Sequence, residues 1–332
     1  MKEAMFWKPL EEMAVQCHLC PRECRISDRK KGACRVRKNI GGTLYSLNYG
    51  KIVSTAIDPI EKKPLFHFFP GSEILSIATV GCNFHCKFCQ NWDISQPDII
   101  SGEEMTPQDV VDIAIDRGIK LIAYTYTEPT IFFEFAYDTA KLAHKHGIKN
   151  VFVTNGYINP EPLKKIAPYL DAANIDLKSM SDTFYQKLCG VKGVGPVLET
   201  IKLAHKLNIH IEITNLLIPG WNTSEAQITE LCRWVADLDK KIPLHFSRYF
   251  PAYKMSVEPT PIKTLEMAYK IGKAQGIEYV YLGNVQAGKE NTHCPSCNAL
   301  IIEREAGKRI KQNLNKGKCT KCGYNIYGAG FL

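Results

Sequence analysis

Residues 74–89 read ILSIATVGCNFHCKFC, an apolar run followed at once by three cysteines. The apolar run predicts a buried strand, and Cys82, Cys86 and Cys89 then lie on the loop that follows it. Iron–sulfur clusters are normally held by four thiolates, so a cubane held by only three would leave one iron open to a substrate. A zinc knuckle or three buried thiols are the alternatives, since free cysteine is often buried.

Outward from this loop, short β-branched runs alternate with helical patterns between residues 72 and 283. This alternation predicts βα units around a parallel sheet. The predicted strands are residues 74–80, 121–124, 150–154, 173–177, 210–215, 244–248 and 279–282. Capping signals predict helix starts after Thr106, Asn159 and Ser224 and helix ends at Gly118, Gly147 and Gly276. We expect an α/β fold, a partial or complete (β/α) barrel, with its chemistry on loops at the carboxyl ends of the strands.

Polar residues follow several other predicted strands at that same end. Alternation along a strand places Asp176 and Lys178 on one face, where they can meet a ligand or form only an ion pair. His245 and Arg248 close the sixth strand. A single histidine on an apolar strand is more often a satisfied core residue, whereas a planar guanidinium suits a carboxylate ligand. The other candidates, which follow the second and third strands, are Thr127, Glu128 and Asn155.

The remaining cysteines favour metal sites over disulfides, because reducing compartments keep the thiols of a 13-cysteine chain reduced. Four C-terminal cysteines have the spacing of a zinc ribbon, with a rubredoxin-like iron site as the alternative. These are Cys294, Cys297, Cys319 and Cys322. A looser N-terminal set would hold either zinc or an auxiliary iron–sulfur cluster. This set is Cys17, Cys20, Cys24 and Cys34.

The three-cysteine loop, with Phe88 just before its last cysteine, resembles that of the radical S-adenosylmethionine (SAM) superfamily. Glu128 matches the acid of the family's Gly-Gly-Glu-Pro segment, although Tyr126 and Thr127 replace its glycines. Within the superfamily, the Thr-Asn-Gly at 154–156 and the Asp-x-Lys at 176–178 resemble segments of pyruvate formate-lyase activating enzyme. Val153 replaces the aspartate of that enzyme, which puts a monovalent cation site in doubt.

Nearly the whole chain also resembles a narrower group, the AmmeMemoRadiSam-system radical SAM proteins. The segments that carry this resemblance are Cys17-His-Leu-Cys20-Pro-Arg-Glu-Cys24, Gly32-Ala-Cys34-Arg-Val-Arg37, Asp58-Pro-Ile-Glu61-Lys-Lys-Pro64-Leu-Phe-His67, Gly81-Cys82-Asn-Phe84 and Cys89-Gln90-Asn91.

The resemblance implies a 4Fe-4S cluster on the three loop cysteines that reductively cleaves SAM to a 5'-deoxyadenosyl radical. Phe84, Phe88 and Trp92 would keep the site dry. The residues expected around SAM are Thr127, Glu128, Asn155, Asp176, Lys178, His245 and Arg248. The protein is expected to act as a glycyl-radical-generating activating enzyme on a partner protein, with a flavodoxin or ferredoxin as electron donor. The alternatives are a radical SAM enzyme acting on an RNA, a peptide or a metabolite, and a zinc-containing binding protein without turnover.

Composition sets the outer limits of these expectations. With 332 residues and 45% hydrophobic content, the chain can bury a large core. We expect a Cys-rich segment at 1–71, the barrel at 72–285 and the zinc-ribbon-like module at 286–332. The absence of a signal pattern or spanning segment predicts a cytoplasmic protein. The net charge of +8 would allow nucleic acid binding, but cations offsetting thiolates are favoured, since no aromatic-interleaved recognition motif accompanies the charge.

Overall fold

The computed structural model describes residues 1–285, 288–305 and 308–331. Its centre is a nine-stranded sheet in which seven strands run parallel and follow one another in chain order. These strands are β1 (Glu73–Thr79), β2 (Leu121–Tyr124), β3 (Lys149–Thr154), β4 (Ala172–Asp176), β5 (His210–Leu217), β6 (Leu244–Arg248) and β7 (Val280–Gly283). Lys51–Pro59 pairs antiparallel with β1, and the short strand Glu103–Glu104 forms the edge beyond it. Because its two edge strands do not pair, the sheet is an open, partial (β/α) barrel.

Six longer helices connect or flank the strands: α1 (Pro107–Asp116), α2 (Phe133–Lys145), α3 (Pro160–Ile166), α4 (Gly195–Lys206), α5 (Glu225–Asp239) and α6 (Ile262–Ala274). Capping boxes at Thr106 and Ser224 start α1 and α5, as their sequences predict. Shorter helical segments are Ile60–Lys62, Trp92–Ser95, Pro129–Phe132, Ala167–Tyr169, Asp182–Phe184 and the π-helical turn Tyr185–Cys189.

Every predicted barrel strand is present, with ends displaced by no more than two residues. The strands are recognisable because their residues are almost all buried, so long apolar runs mark them in the sequence. Gly118, Gly147 and Gly276 follow their helices with positive φ, as helix-ending glycines do. The α/β fold prediction is therefore confirmed.

Small antiparallel sheets precede and follow the barrel. The N-terminal ones pair Lys2–Glu3, Arg37–Ile40 and Thr43–Ser46, and pair Trp7–Pro9, Val15–Cys17 and Arg25–Ile26. The C-terminal ones pair Thr292–His293, Leu300–Glu305 and Lys308–Gln312, and pair Leu314–Asn315 with Lys318–Cys319. The Lys51–Pro59 strand lies within the segment expected to precede the barrel, yet it belongs to the main sheet. The three-part division of the chain stays a prediction.

The C-terminal module docks on the barrel through the segment after Lys51–Pro59. Arg304 donates a hydrogen bond to the Phe66 carbonyl (2.6 Å), and its guanidinium lies over the Phe66 ring. His67 bridges the barrel and the module, since its ring nitrogens contact the Tyr281 hydroxyl (2.6 Å) and the Tyr327 carbonyl (2.7 Å). In the described part of the chain, no helix has the length and apolar character needed to cross a bilayer.

Candidate active site

The three loop cysteines face a cavity of about 320 Å³ at the carboxyl ends of the barrel strands. Cys82, Cys86 and Cys89 line one part of it, on the loop that follows β1. Most of the other predicted site residues line the same cavity: Thr127, Glu128, Asn155, Asp176 and Lys178. The parallel sheet brings them together because each follows or ends a neighbouring strand.

Each cysteine sulfur lies close to a polar or sulfur group. The Phe84 amide and the Asn155 side chain donate to Cys82 Sγ, at 3.3 and 3.7 Å. Cys89 Sγ lies 3.3 Å from the Ser95 hydroxyl oxygen. Such contacts stabilise thiolates and adjust the potential of a bound cluster. Three thiols on one wall of a cavity with free space beyond them fit a cubane with one open iron.

Aromatic side chains make one side of the cavity dry, although not as fully as the sequence predicts. Phe84 and Phe88 are buried and line the cavity. Trp92 was expected to complete this shell, but it is 47% exposed and stacks on Tyr253 with ring centroids 5.2 Å apart. That prediction is wrong because the short helix beginning at Trp92 turns its first side chain outward.

Glu128 is a buried acceptor at the junction of two loops. Its carboxylate accepts hydrogen bonds from the Thr130 amide (3.0 Å), the Thr154 hydroxyl (2.7 Å) and the Asn155 amide (2.8 Å). Burial raises the pKa of Glu128, while these donors act in the opposite direction. The side chain therefore fixes the ends of β2 and β3 relative to each other as well as lining the cavity.

Asp176 and Lys178 are paired with each other at the cavity wall, and their contact with a ligand stays a prediction. They form an ion pair of 2.7 Å and both line the cavity. Burial alone would lower the pKa of Lys178, but Asp176 and the sulfurs of Cys86 and Cys189 raise it well above its usual value. A lysine held protonated beside cysteine ligands supplies positive charge where thiolates would gather.

A polar cluster that the sequence analysis did not predict contributes Lys62, Lys63 and Tyr126 to the wall of this cavity. Asp58 accepts hydrogen bonds from Lys62 (3.0 Å), Lys63 (2.7 Å) and the Tyr126 hydroxyl. Burial alone would raise the pKa of Asp58, but these donors hold it well below its usual range. Tyr126 has a φ of +64°, a conformation that glycine adopts easily. The Asp58 contact and a hydrogen bond from Asn91 to the Tyr126 carbonyl (2.7 Å) hold the tyrosine there.

His245 and Arg248 lie apart from the cysteine cavity, on the wall of a second, larger one of about 1340 Å³. His245 contacts the carboxylate of Glu212 at 2.7 Å and stacks on Tyr281. Arg248 donates to the Thr260 carbonyl at 2.8 Å. The expected contact of both residues with SAM stays a prediction, and the structure gives His245 a partner that the sequence did not indicate.

The other cysteines fall into two geometrically different sets. The C-terminal four place their sulfurs within 4.8 Å of one another, as ligands of a single metal ion would. All four N-terminal cysteines line one small cavity. Of the two remaining cysteines, Cys232 is buried on α5, whereas Cys189 lies beside Cys86, with its carbonyl accepting from the His85 amide.

This chain is similar to a known protein family and to several known proteins. A family model described as the radical SAM superfamily matches residues 76–232. A probable GTP 3',8-cyclase of Thermococcus kodakarensis is 30% identical over 70% of this chain and 82% of its own length. The chain belongs to the radical SAM superfamily. A Methanocaldococcus jannaschii protein of uncharacterised role is 49% identical to this radical SAM protein, over 98% of this chain and 99% of its own.

More distant relatives of this radical SAM protein have named activities. The pyruvate formate-lyase 1-activating enzyme of Escherichia coli is 25% identical over 48% of this chain and 66% of its own length. The crystal structure of a radical SAM methyltransferase from Sphaerobacter thermophilus superposes with a TM-score of 0.53 at 16% identity, covering 65% of this chain and 67% of its own. At that identity the likeness shows the fold alone. Membership of the superfamily implies a 4Fe-4S cluster and SAM, and which residues hold them stays a prediction.

The Glu128→Gln variant of this radical SAM protein is expected to bind SAM about ten- to a hundredfold more weakly, because a charge-assisted hydrogen bond contributes about 1.5–3 kcal/mol. Glutamine keeps the shape and the acceptor oxygen for the Thr154 hydroxyl, whereas its amide nitrogen cannot accept from the Asn155 amide, so part of the loss reflects a weaker contact between the two loops. Anaerobic calorimetry of the cluster-loaded protein measures the change. Glu103→Gln, on the exposed edge strand, is the matched control. Equal affinities for the two variants would remove Glu128 from the SAM site.

Proposed function

We propose that this protein uses a SAM-derived radical to generate a glycyl radical on a partner protein. The observation that carries this proposal is the connection between two cavities. The cysteine cavity of about 320 Å³ shares Lys62, Thr214, Ser247 and Asn284 with the second cavity of about 1340 Å³. Small-molecule pockets usually occupy about 300–1,000 Å³, so the larger cavity has room for a polypeptide loop.

The chain's own residues would prepare the site for this reaction. When bound, the cluster would supply one electron to the sulfonium of SAM and so release a carbon radical that abstracts hydrogen. Phe84 and Phe88 exclude water from that region. Lys178, held protonated by Asp176, contributes positive charge beside Cys86. Glu128 and Asn155 line the same cavity and would offer polar groups to the amino-acid part of SAM.

The relatives support an activating role without settling the substrate. By its name, the E. coli relative activates pyruvate formate-lyase. Reductive cleavage of SAM needs one low-potential electron, so we propose a flavodoxin or ferredoxin as the donor partner of this chain. The ends of β6 and β7 line the larger cavity, and we propose that a loop of the partner enters it there.

An isotope experiment tests the proposal. Cells of the source organism are grown with glycine deuterated at its α-carbon, and their extract is mixed anaerobically with the cluster-loaded protein, SAM and dithionite. Deuterium in 5'-deoxyadenosine, together with a glycyl radical signal in the macromolecular fraction, is the expected result. Protease treatment of the extract should abolish both signals, whereas ribonuclease treatment should leave them.

One control variant and two contrary outcomes make the result decisive. The Cys89→Ala variant separates enzymatic transfer from background exchange of deuterium. SAM cleavage without any deuterium transfer from protein glycine, across extracts grown anaerobically and aerobically, would contradict the proposed substrate. Transfer from the ribonuclease-sensitive fraction would assign an RNA substrate instead.

A second candidate is a radical SAM enzyme acting on a small molecule. The observation that favours it is the similarity to the probable GTP 3',8-cyclase, which extends over 82% of that protein. In the isotope experiment with a generally deuterated extract, this function would deliver deuterium from the low-molecular-weight fraction. Protease treatment would then have no effect.

We also propose that the C-terminal four cysteines bind zinc. Cys294 and Cys322 place their sulfurs 3.5 Å apart, and those of Cys297 and Cys319 are 3.8 Å apart. Zinc–sulfur bonds of about 2.3 Å in a tetrahedron give sulfur separations of about 3.8 Å. The observed spacing therefore suits one tetrahedral ion and is too compact for a multi-iron cluster.

The Cys297→Ala variant is expected to lose the zinc and the folded module while keeping the barrel's cluster. A structural zinc contributes on the order of 10 kcal/mol to the folding of such a module, so three ligands would not suffice. Metal analysis and SAM titration of the same sample measure the two effects. Ser296→Ala, at the exposed neighbouring position, should retain both metals. Loss of the barrel's iron in Cys297→Ala would show that the two modules do not fold separately.

A further inference from the structure

The N-terminal cysteines converge although they are spread over 18 positions of the sequence, from 17 to 34. They line one small cavity next to the barrel: Cys17, Cys20, Cys24 and Cys34. Three of them are buried, and Leu19, Ile26 and Ile131 contribute apolar side chains to the same cavity. Four thiols meeting in a dry cavity point to a metal centre, because disulfides would have joined them in pairs.

The spacing of these sulfurs argues against a single ion. In residues 1–285, 288–305 and 308–331, only the C-terminal four cysteines form a group with all ligand atoms within 4.8 Å of one another. The N-terminal four enclose a space instead. A cubane bonds each thiolate to a different iron, so its four sulfurs stand farther apart than those around one ion. Cys82, Cys86 and Cys89 of the barrel likewise do not form a group with all sulfurs within 4.8 Å of one another.

A buried cation supports a cluster at this position. Arg37 is 1% exposed, and its guanidinium donates to Cys17 Sγ at 3.6 Å and to the Met5 carbonyl at 2.9 Å. The same guanidinium pairs with Glu134 on α2, which anchors it to the barrel. Hydrogen bonds to sulfur and nearby positive charge stabilise iron–sulfur clusters, whose four thiolates leave them negative.

The cavity lies directly behind the loop that carries the barrel's cysteines. Asn83, the neighbour of Cys82, lines the N-terminal cavity and accepts a hydrogen bond from Asn155 at 2.8 Å. Gly81 has a φ of +104°, and a Cβ there would lie 3.1 Å from the Cys34 carbonyl oxygen. A larger residue at Gly81 would therefore separate the two cysteine sets. On the other side, Cys24 lines an open surface groove of about 560 Å³.

We propose that Cys17, Cys20, Cys24 and Cys34 bind a second 4Fe-4S cluster, fully ligated by thiolates, which passes electrons to the SAM-binding cluster. With no open iron, this cluster does not bind SAM. An external low-potential one-electron carrier would reduce it near Cys24, and the same electron would move past Asn83 to the first cluster. No atom is transferred in this step, and each cluster changes its charge by one electron.

Iron analysis of the full chain tests the proposal. After anaerobic reconstitution and removal of unbound metal, the wild-type protein should contain about eight irons per chain, seen by Mössbauer spectroscopy as two 4Fe-4S clusters. The Cys82→Ala/Cys86→Ala/Cys89→Ala variant should keep about four irons, in a cluster whose reduced electron paramagnetic resonance signal is unchanged by SAM. The Cys20→Ala/Cys24→Ala variant should keep about four irons with a SAM-sensitive signal.

The iron content of a control variant and of the wild-type chain can contradict the proposal. Cys232→Ala, which changes a buried cysteine on α5, should keep both clusters. About four irons with two zinc ions in the wild-type chain, or an iron-free triple variant, would overturn the proposal. If Cys20→Ala/Cys24→Ala fails to fold, the triple variant still decides, because it leaves the N-terminal thiols intact.

The proximity of the two proposed clusters can be measured by electron paramagnetic resonance relaxation. In the fully reduced wild-type protein, the SAM-sensitive signal should relax at least about tenfold faster than in the Cys20→Ala/Cys24→Ala variant, because a second paramagnet lies next to it. Equal relaxation in the two proteins would overturn electron transfer between neighbouring clusters. This experiment does not depend on a glycyl radical substrate, so its failure and that of the proposed function are distinguishable.

Discussion

The Cys89→Ala variant is expected to lose reductive cleavage of SAM by more than about a hundredfold, since even supporting residues around a metal change activity by 10–100-fold. Cys89 is one of three thiols that face the cavity, and the loop offers no spare ligand in its place. Its sulfur contacts the Ser95 hydroxyl oxygen at 3.3 Å, so truncation should reduce the free energy of unfolding by only about 1 kcal/mol. Production of 5'-deoxyadenosine, measured with dithionite as reductant, reports the loss.

Cys232→Ala is the matched control for this variant. It removes a sulfur from a fully buried position on α5, so it should lower stability by roughly 1 kcal/mol and leave SAM cleavage at the wild-type rate. The two variants should therefore lose similar stability and differ only in SAM cleavage. Cleavage by Cys89→Ala at the wild-type rate would mean that the cluster is held elsewhere.

The second large effect is expected at Glu212, a fully buried carboxylate on β5. It accepts hydrogen bonds from the amides of Phe66 (3.0 Å) and His67 (2.7 Å) and contacts the His245 ring nitrogen at 2.7 Å. Removing one partner of a buried charged network costs about 3–5 kcal/mol. Glu212→Ala should therefore shift the urea midpoint strongly and release the segment that docks the C-terminal module.

The contribution of Glu212 to stability should depend on pH and decrease in acid. Burial alone would raise the pKa of Glu212, but hydrogen bonds from His210 and His245 bring it far below its usual range. A carboxyl with a lowered pKa stabilises the fold above its unfolded-state pKa, and this contribution is lost as the pH falls below that value. The wild-type protein should lose stability in acid more steeply than Glu212→Ala does. Glu230→Ala, an exposed change on α5, should stay within about 0.5 kcal/mol of wild type at pH 7.

The sequence predicted features that depend on neighbouring residues. It did not predict contacts between segments that are distant in the chain. The strand before Cys82 is an uninterrupted apolar run, and the capping boxes at Thr106 and Ser224 involve residues three positions apart. The cysteine loop identified the superfamily because its spacing is itself the chemical requirement. These features need no knowledge of the rest of the chain.

Asp58 and Glu212 were missed for the opposite reason. Asp58 contacts Tyr126, 68 positions away, and Glu212 contacts the Phe66 amide, 146 positions away. An isolated acid in the sequence carries no sign that it will be buried and paired. The segment between Asp58 and His67 stood out only as a resemblance, and the structure gives it a physical role at each end, against the cysteine cavity and against the C-terminal module.

The position of the C-terminal module also links the proposed zinc site to the larger cavity. Glu305 and Lys308, on its two longest strands, form part of the wall of the larger cavity. If the four C-terminal cysteines hold zinc as proposed, a chain without that ion would lose the order of these two strands, and with it part of the wall of the larger cavity, even where its SAM chemistry survived.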